Sequence, residues 1–147
     1  MIIEHSLEIS APIRSVWELT VDPGSWAAAN PNVTGATALD DPPLGPGSRV
    51  RIEQRGMRPR VWTVLEHRAP NRFVWSTRLL WLTMTASHDL AATGSGTLNS
   101  LAVRLDGPGA GILGRLLRRP MVSALQAENE GMKGFAEAGT TTAPPPG

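Results

Sequence analysis

Residues 107–138 read GPGAGILGRLLRRPMVSALQAENEGMKGFAEA, and this stretch decides the fold. Before Gly107 the apolar side chains recur at every second residue. After it the spacing lengthens to three and four. Ile112, Leu113, Leu116 and Leu117, then Val122, Leu125, Met132 and Phe135, make an apolar stripe with the period of a helix. Pro120 interrupts the stripe. A proline inside a helix removes one backbone donor and crowds the preceding turn, so a kink or a split is expected there. A long amphipathic helix must lie on another apolar face, which the preceding residues have to supply.

Working backwards, residues 33–106 read as strands joined by short turns. Thr97 to Leu105 is the last strand, with Asn99, Leu101, Val103 and Leu105 on one face. Thr93-Gly94-Ser95-Gly96 is a tight turn. Thr83 to Ala91 alternates and places His88 on the face of Met84, Ala86 and Leu90. Leu79 to Leu82 hides a turn or bend. Phe73 to Arg78 puts Trp75 and Thr77 beside Phe73, and Arg60 to Arg68 carries Trp62. Gly56 to Pro59 is a hairpin turn, and before it Val50, Ile52 and Gln54 alternate with arginines and Glu53. Closely spaced strands with short turns imply an antiparallel sheet.

The start of the chain adds one more strand. Ile3, His5, Leu7 and Ile9 alternate with polar residues. Pro12 changes the period, and Ile13, Val16, Trp17 and Val21 share a helical stripe. Ser10 is expected to cap this helix and Asp22-Pro23-Gly24 to end it. A short second helix is expected over 25–30. Residues 1–138 thus form one α+β domain, with 139–147 expected as a disordered Thr/Pro-rich tail.

Composition narrows the function. With 41% hydrophobic residues the chain can bury a core, and with no cysteine it has no disulfide or thiolate chemistry. A net charge of +1 argues against nucleic-acid binding. The first residues do not read as a signal peptide, and no apolar run is long enough for integral membrane association, so a cytoplasmic protein is expected. Nothing in the composition sets an oligomeric state.

Several short motifs, in order, resemble one family. Ser10-Ala11-Pro12 with Trp17 is similar to an "Ala-Pro–x4–Trp" opening, Asp22-Pro23-Gly24-Ser25-Trp26 to an "Asp-Pro…Trp" segment, and Pro31-Asn32-Val33 to the "Pro-x-Val" that follows. Gly45-Pro46-Gly47-Ser48 looks like the glycine turn of the same group, and Met132-Lys133-Gly134-Phe135-Ala136-Glu137 like its helix close. The chain thereby resembles the bacterial polyketide cyclase/dehydrase-like proteins of the START-like (SRPBCC) superfamily. It departs from them in having Ala28-Ala29-Asn30 where an aromatic often stands, and in having no tyrosine. The resemblance implies a helix-grip (START/Bet v 1-like) fold, in which a curved antiparallel sheet of about seven strands wraps a long C-terminal helix over a cavity.

Polar residues on the apolar faces of the strands then become the candidates. His88 is the catalytic candidate, because a neutral imidazole in an apolar pocket can move a proton next to a carbonyl. Its competing reading is a buried histidine with a structural partner. Gln54 and Asn99 are candidates to orient a carbonyl or hydroxyl, or else to pair with each other or a buried water. Trp62, Trp75 and Trp81 are candidates to stack on a ring, with Thr77 and Met84 as further ligand contacts. Trp17 and His5 read as packing residues. No metal site is expected from three scattered histidines, and no cofactor. Gly109-Ala110-Gly111-Ile112-Leu113-Gly114 fits G-x-G-x-x-G, but no second parallel strand follows, so the dinucleotide reading fails; Gly107–Gly114 and Pro120 are instead candidate gates of the cavity. The arginines of 49–60 and 115–119 read as solvated faces, or as a surface for an anionic ligand or membrane. The expected partner is a hydrophobic small molecule, aromatic or polyketide-like, either transformed by acid–base chemistry or carried unchanged as a lipid or quinone would be. A third reading is an interaction domain whose cavity is filled by its own side chains.

Overall fold

The computed structural model describes residues 1–141. Its elements run β1 (Ile2–Ile9), α1 (Ile13–Thr20), α2 (Pro23–Ala29), β2 (Val33–Ala38), β3 (Arg49–Gln54), β4 (Arg60–Arg68), β5 (Arg72–Leu79), β6 (Leu82–Ala92), β7 (Thr97–Asp106) and α3 (Ala110–Thr141). The seven strands form one sheet in the order β1-β7-β6-β5-β4-β3-β2, antiparallel throughout. Strands β3 to β7 therefore sit beside their sequence neighbours, and β1 pairs with β7, Ile3 opposite Val103 and Ile9 opposite Thr97. Bulges between Val33 and Gly35 and between Val64 and Glu66 bend β2 and β4. Helix α3 lies against β1, β7, α1 and α2. This is the expected helix-grip arrangement.

Several local expectations need refinement. Ser10 does not cap α1. The capping position is Pro12, which has no side-chain bond to give, and the Ser10 amide donates to Glu137 instead. Helix α1 does stop at Thr20, just before Asp22-Pro23-Gly24, but the same segment also begins α2, because Asp22 Oδ1 accepts from the Gly24 amide and Pro23 needs no donor in a first turn. Of the kink or split expected at Pro120, the split does not occur, and α3 runs through it. The stripe on α3 is also narrower than its sequence suggests. Leu113 packs inward, whereas Ile112 and Leu116 face outward, 71% and 73% exposed. Successive residues sit about 100° apart on a helix, so all four cannot reach one sheet. The helix also extends past residue 138, and the rest of the expected tail lies outside the described residues.

The main core runs from Ile9, Val16 and Trp17 through Val50, Val64 and Phe73 to Met132 and Ala136. A buried polar clasp fixes α3 over it. Asn129, fully buried, accepts from Asn99 Nδ2 at 2.8 Å and directs its own amide at His5 Nδ1 (2.8 Å) and the His5 carbonyl (3.1 Å). The carbonyl fixes the orientation of the amide, so His5 Nδ1 is the acceptor. Asn129→Leu leaves the amide of Asn99 and the ring of His5 without partners in an apolar setting, which costs about 2–4 kcal/mol. Asn99→Leu in the same chain removes the stranded amide and should return part of that loss. Urea unfolding of the two singles and the double checks this; strictly additive losses would mean the asparagines do not act as a pair.

Candidate functional site

Between the inner face of the sheet and α3 lies a cavity of about 200 Å³. A cavity of roughly 150 Å³ suffices for benzene, so this one takes a ring-sized body, and a larger one if part of it stays in the mouth. Strand alternation builds the wall. Ile52 and Gln54 of β3, Trp62 of β4, Trp75 of β5, Met84, Ala86 and His88 of β6, and Leu101 and Val103 of β7 point inward. Trp26 and Ala29 of α2 close one side, and Met121, Leu125, Glu128 and Met132 of α3 form the roof.

The aromatic rings touch in a chain. Trp75 lies edge-on to Trp26 at 4.8 Å between ring centres, tilted against Trp62 at 4.9 Å, and edge-on to Phe73 at 5.3 Å and His88 at 6.3 Å. Trp62 Nε1 and His88 Nδ1 are buried and find no protein partner among the described residues. Buried polar atoms normally have partners, and both belong to residues that line the cavity.

The polar end of the cavity is His88 facing Glu128, with Nε2 3.8 Å from Oε1. That is too long for a hydrogen bond. An oxygen atom between them can lie about 2.8 Å from each. Burial sets both protonation states. It lowers His88 to about 4, with Asp89 opposing weakly, and raises Glu128 to about 7. Near neutral pH the imidazole is uncharged and the carboxyl is divided between its two forms, so the contact is not a standing ion pair. Asp89 is itself held by Arg72 at 2.6 Å on the other face of β6.

Five of the residues singled out in the sequence meet here: Gln54, Trp62, Trp75, Met84 and His88. Thr77 and Asn99 do not line the cavity. Thr77 Oγ1 donates to the Val61 carbonyl of the neighbouring strand at 2.8 Å, and Asn99 is held in the Asn129 clasp rather than paired with Gln54. Trp81 sits on the β5–β6 turn, 59% exposed, its Nε1 bonded to the Pro108 carbonyl. Trp17 is buried against His67, as packing requires. Gly107 and Gly109 turn the chain with φ of 125° and 79°, and Gly114 lets Met1 approach α3; none of the three lines the cavity. Among the described residues no group of three or more His, Asp or Glu is placed to hold a metal ion.

Glu128 is the residue the sequence reading missed. It stands three residues after Leu125 and four before Met132, on the inward stripe of α3. The rule that a polar residue on an apolar face is a candidate, applied to the strands, finds it when applied to the helix.

Known proteins place this architecture. The family model for polyketide cyclase / dehydrase and lipid transport matches residues 1–137. No curated protein matches the sequence. Among solved structures, a START superfamily protein from Mycobacterium smegmatis superposes with a TM-score of 0.72 at 14% identity, covering 93% of this chain and 97% of that one. Protein NE0264 from Nitrosomonas europaea gives 0.72 at 16% identity over 96% and 97%. The di-domain ARO/CYC StfQ from the steffimycin biosynthetic pathway gives 0.78 at 13% identity over 96% of this chain and 52% of its own, so this chain spans about half of it. At such identities these likenesses show the fold. The family match takes in every element that walls the cavity, from β1 to all but the last turn of α3, and the chain belongs to the polyketide cyclase/dehydrase and lipid transport family.

Proposed function

We propose that the protein binds a small ring-bearing apolar molecule in this cavity and moves a proton next to one of its carbonyl groups. The observation that carries the proposal is Glu128 facing His88 Nε2 at 3.8 Å across an apolar, tryptophan-walled pocket, where burial raises the carboxyl to about 7 and keeps the histidine neutral. Each group has the state its role needs. Ionised Glu128 is a competent base near neutral pH. A histidine near 4 is a poor base at that pH, but its uncharged N–H donates to the oxygen on which negative charge develops. Glu128 takes the proton from the carbon beside the carbonyl, the electron pair moves onto the carbonyl oxygen, and His88 stabilises the enolate. Glu128 returns the proton to carbon or oxygen. No external reactant is needed, and ring closure or loss of water can follow from the enolate. Trp62 Nε1 offers a donor to a second oxygen, Trp75 and Trp62 contact the ring, and Gln54 and Met84 contact its edge. The cytoplasm is the compartment this reading assigns.

The test has two stages. Native mass spectrometry of protein purified gently from its host should show an added mass that disappears on denaturation. Exchange of the protons beside the carbonyl of α-tetralone, a two-ring ketone, is then followed by NMR in deuterium oxide. The protein should accelerate that exchange, and Glu128→Gln should remove about 10²-fold or more of the acceleration. Binding of α-tetralone without acceleration would make the cavity a carrier's pocket. No adduct and no binding would make it a closed core.

A further inference from the structure

Half of the basic residues sit at one end of the molecule. Segments 54–60, 78–82 and 107–127 hold seven of the chain's 14 lysines and arginines and no aspartate or glutamate. The antiparallel register brings these segments together. The β3–β4 turn, the β5–β6 turn and the entry to α3 all leave the sheet at the end where β1 begins and β7 finishes. The Trp81–Pro108 hydrogen bond (2.7 Å) ties the second to the third, and Leu113 joins Leu79 and Leu82 in a small shared core.

The same end exposes large apolar side chains. Leu80 is 67% exposed and Trp81, Ile112 and Leu116 are comparably open, while Met57 stands exposed on the β3–β4 turn. Arg115, Arg118 and Arg119 flank Ile112 and Leu116 on α3 and are exposed. Met57 and Met121 also line the cavity, so its rim belongs to this end. Exposed tryptophan and aliphatic side chains ringed by arginines fit a surface that is apolar below and anionic above, and the acid that closes β7 at this end, Asp106, is paired with Arg104 at 2.8 Å. A second copy of the chain fits it poorly, since each would bring the same positive charge to the contact.

We propose that this end docks on an anionic lipid bilayer. Leu80, Trp81, Ile112 and Leu116 enter the boundary between headgroups and acyl chains, and the arginines meet the lipid phosphates. The cavity rim then faces the phase in which an apolar ligand dissolves.

Co-sedimentation with vesicles tests the proposal on the full chain. The protein should pellet with phosphatidylcholine vesicles containing phosphatidylserine, remain in solution with phosphatidylcholine alone, and release as salt is added. Ile112→Ser with Leu116→Ser, and separately Arg115→Gln with Arg118→Gln, should each weaken binding about tenfold or more. None of these four residues lines the cavity, and a thermal melt matching that of the unaltered chain reports that each variant is folded. Failure to pellet with anionic vesicles at low salt overturns the proposal, as does pelleting that survives both pairs of substitutions. Self-association that Ile112→Ser with Leu116→Ser abolishes, without vesicle binding, would assign the face to protein contact instead. Vesicle binding and ketone exchange are read separately, so either proposal can fail while the other stands.

Discussion

Glu128→Gln should stabilise the protein at alkaline pH and, under the proposed reaction, remove the pH dependence of ketone exchange. Burial raises the carboxyl from 4.5 to about 7, so the folded chain holds a proton there that the unfolded chain has released. Stability from this group is full below about 4.5 and declines as pH rises through about 7, because the unfolded state is then the better home for the charge. The Glu128 side chain keeps 27% of its surface open, so the shift corresponds to at most about 3 kcal/mol against the folded state at about pH 8. Glutamine carries no charge but still hides an amide, so a gain of about 2 kcal/mol is expected, or about 5 °C or more in Tm.

His88 has the opposite slope. Its value falls from 6.5 to about 4, so the unfolded chain holds the extra proton, and stability rises with pH across that interval. In the native protein the two slopes oppose each other between about 4.5 and 6.5. In Glu128→Gln only the histidine slope remains. Urea unfolding of both proteins across the pH range separates the terms. The gain should be small near pH 4.5, grow to about pH 7 and hold constant above it. A gain that is the same at every pH would show that the carboxyl does not titrate near 7. The ketone exchange should follow the same group, rising with pH through about 7 in the native protein and staying low and flat in the variant. A residue whose removal stabilises the fold while abolishing activity is one whose placement serves function.

The sequence makes most of this fold legible because the periodicity changes where the architecture changes. The two-residue alternation from Val50 to Leu105 becomes a helical stripe after Gly107, and that change alone places a sheet before a helix. The boundary of α1 and α2 was harder to read, because Asp-Pro-Gly serves equally to stop one helix and to start the next. The site was legible in part. Face assignments put His88, Gln54 and Trp75 inward, and inward they are. What a face cannot say is how a side chain is occupied. Thr77 shares the face of Trp75, but its hydroxyl reaches back to the Val61 carbonyl. Asn99 shares the face of Leu101, but meets an asparagine thirty residues away on α3. Both partners depend on which segments pack together, which alternation does not encode. Past the bulge at residue 65 the inward phase of β4 slips by one, from Trp62 and Val64 to His67, so His67 meets Trp17 and Phe73 although strict alternation from Trp62 faces it outward.

Gly131→Ala should strongly destabilise the protein, and Gly134→Ala should mildly stabilise it. Both glycines lie inside α3, where alanine is ordinarily favoured by about 1 kcal/mol. At Gly134 a Cβ meets nothing within 4 Å, and the intrinsic preference should appear nearly in full. At Gly131 the same atom would sit 2.0 Å from the Ala29 carbonyl oxygen and 3.0 Å from Pro31 Cδ. The first obstacle is backbone at the end of α2, with no rotamer to turn aside. Relief requires α3 to move off α2, yet α3 is held by the Asn129 clasp two residues earlier and by Met132 in the core one residue later. Overpacking of this kind costs about 1–3 kcal/mol net of the helix preference, and more when backbone must move. Because Ala29 and Met132 both line the cavity, the displacement should also alter the pocket, and α-tetralone affinity should fall in Gly131→Ala and be unchanged in Gly134→Ala. Thermal melts and ketone titrations of the two variants decide the matter. Equal effects at the two positions would mean that α3 does not lie as close to α2 as this packing requires, and the roof of the cavity would have to be set higher above the sheet.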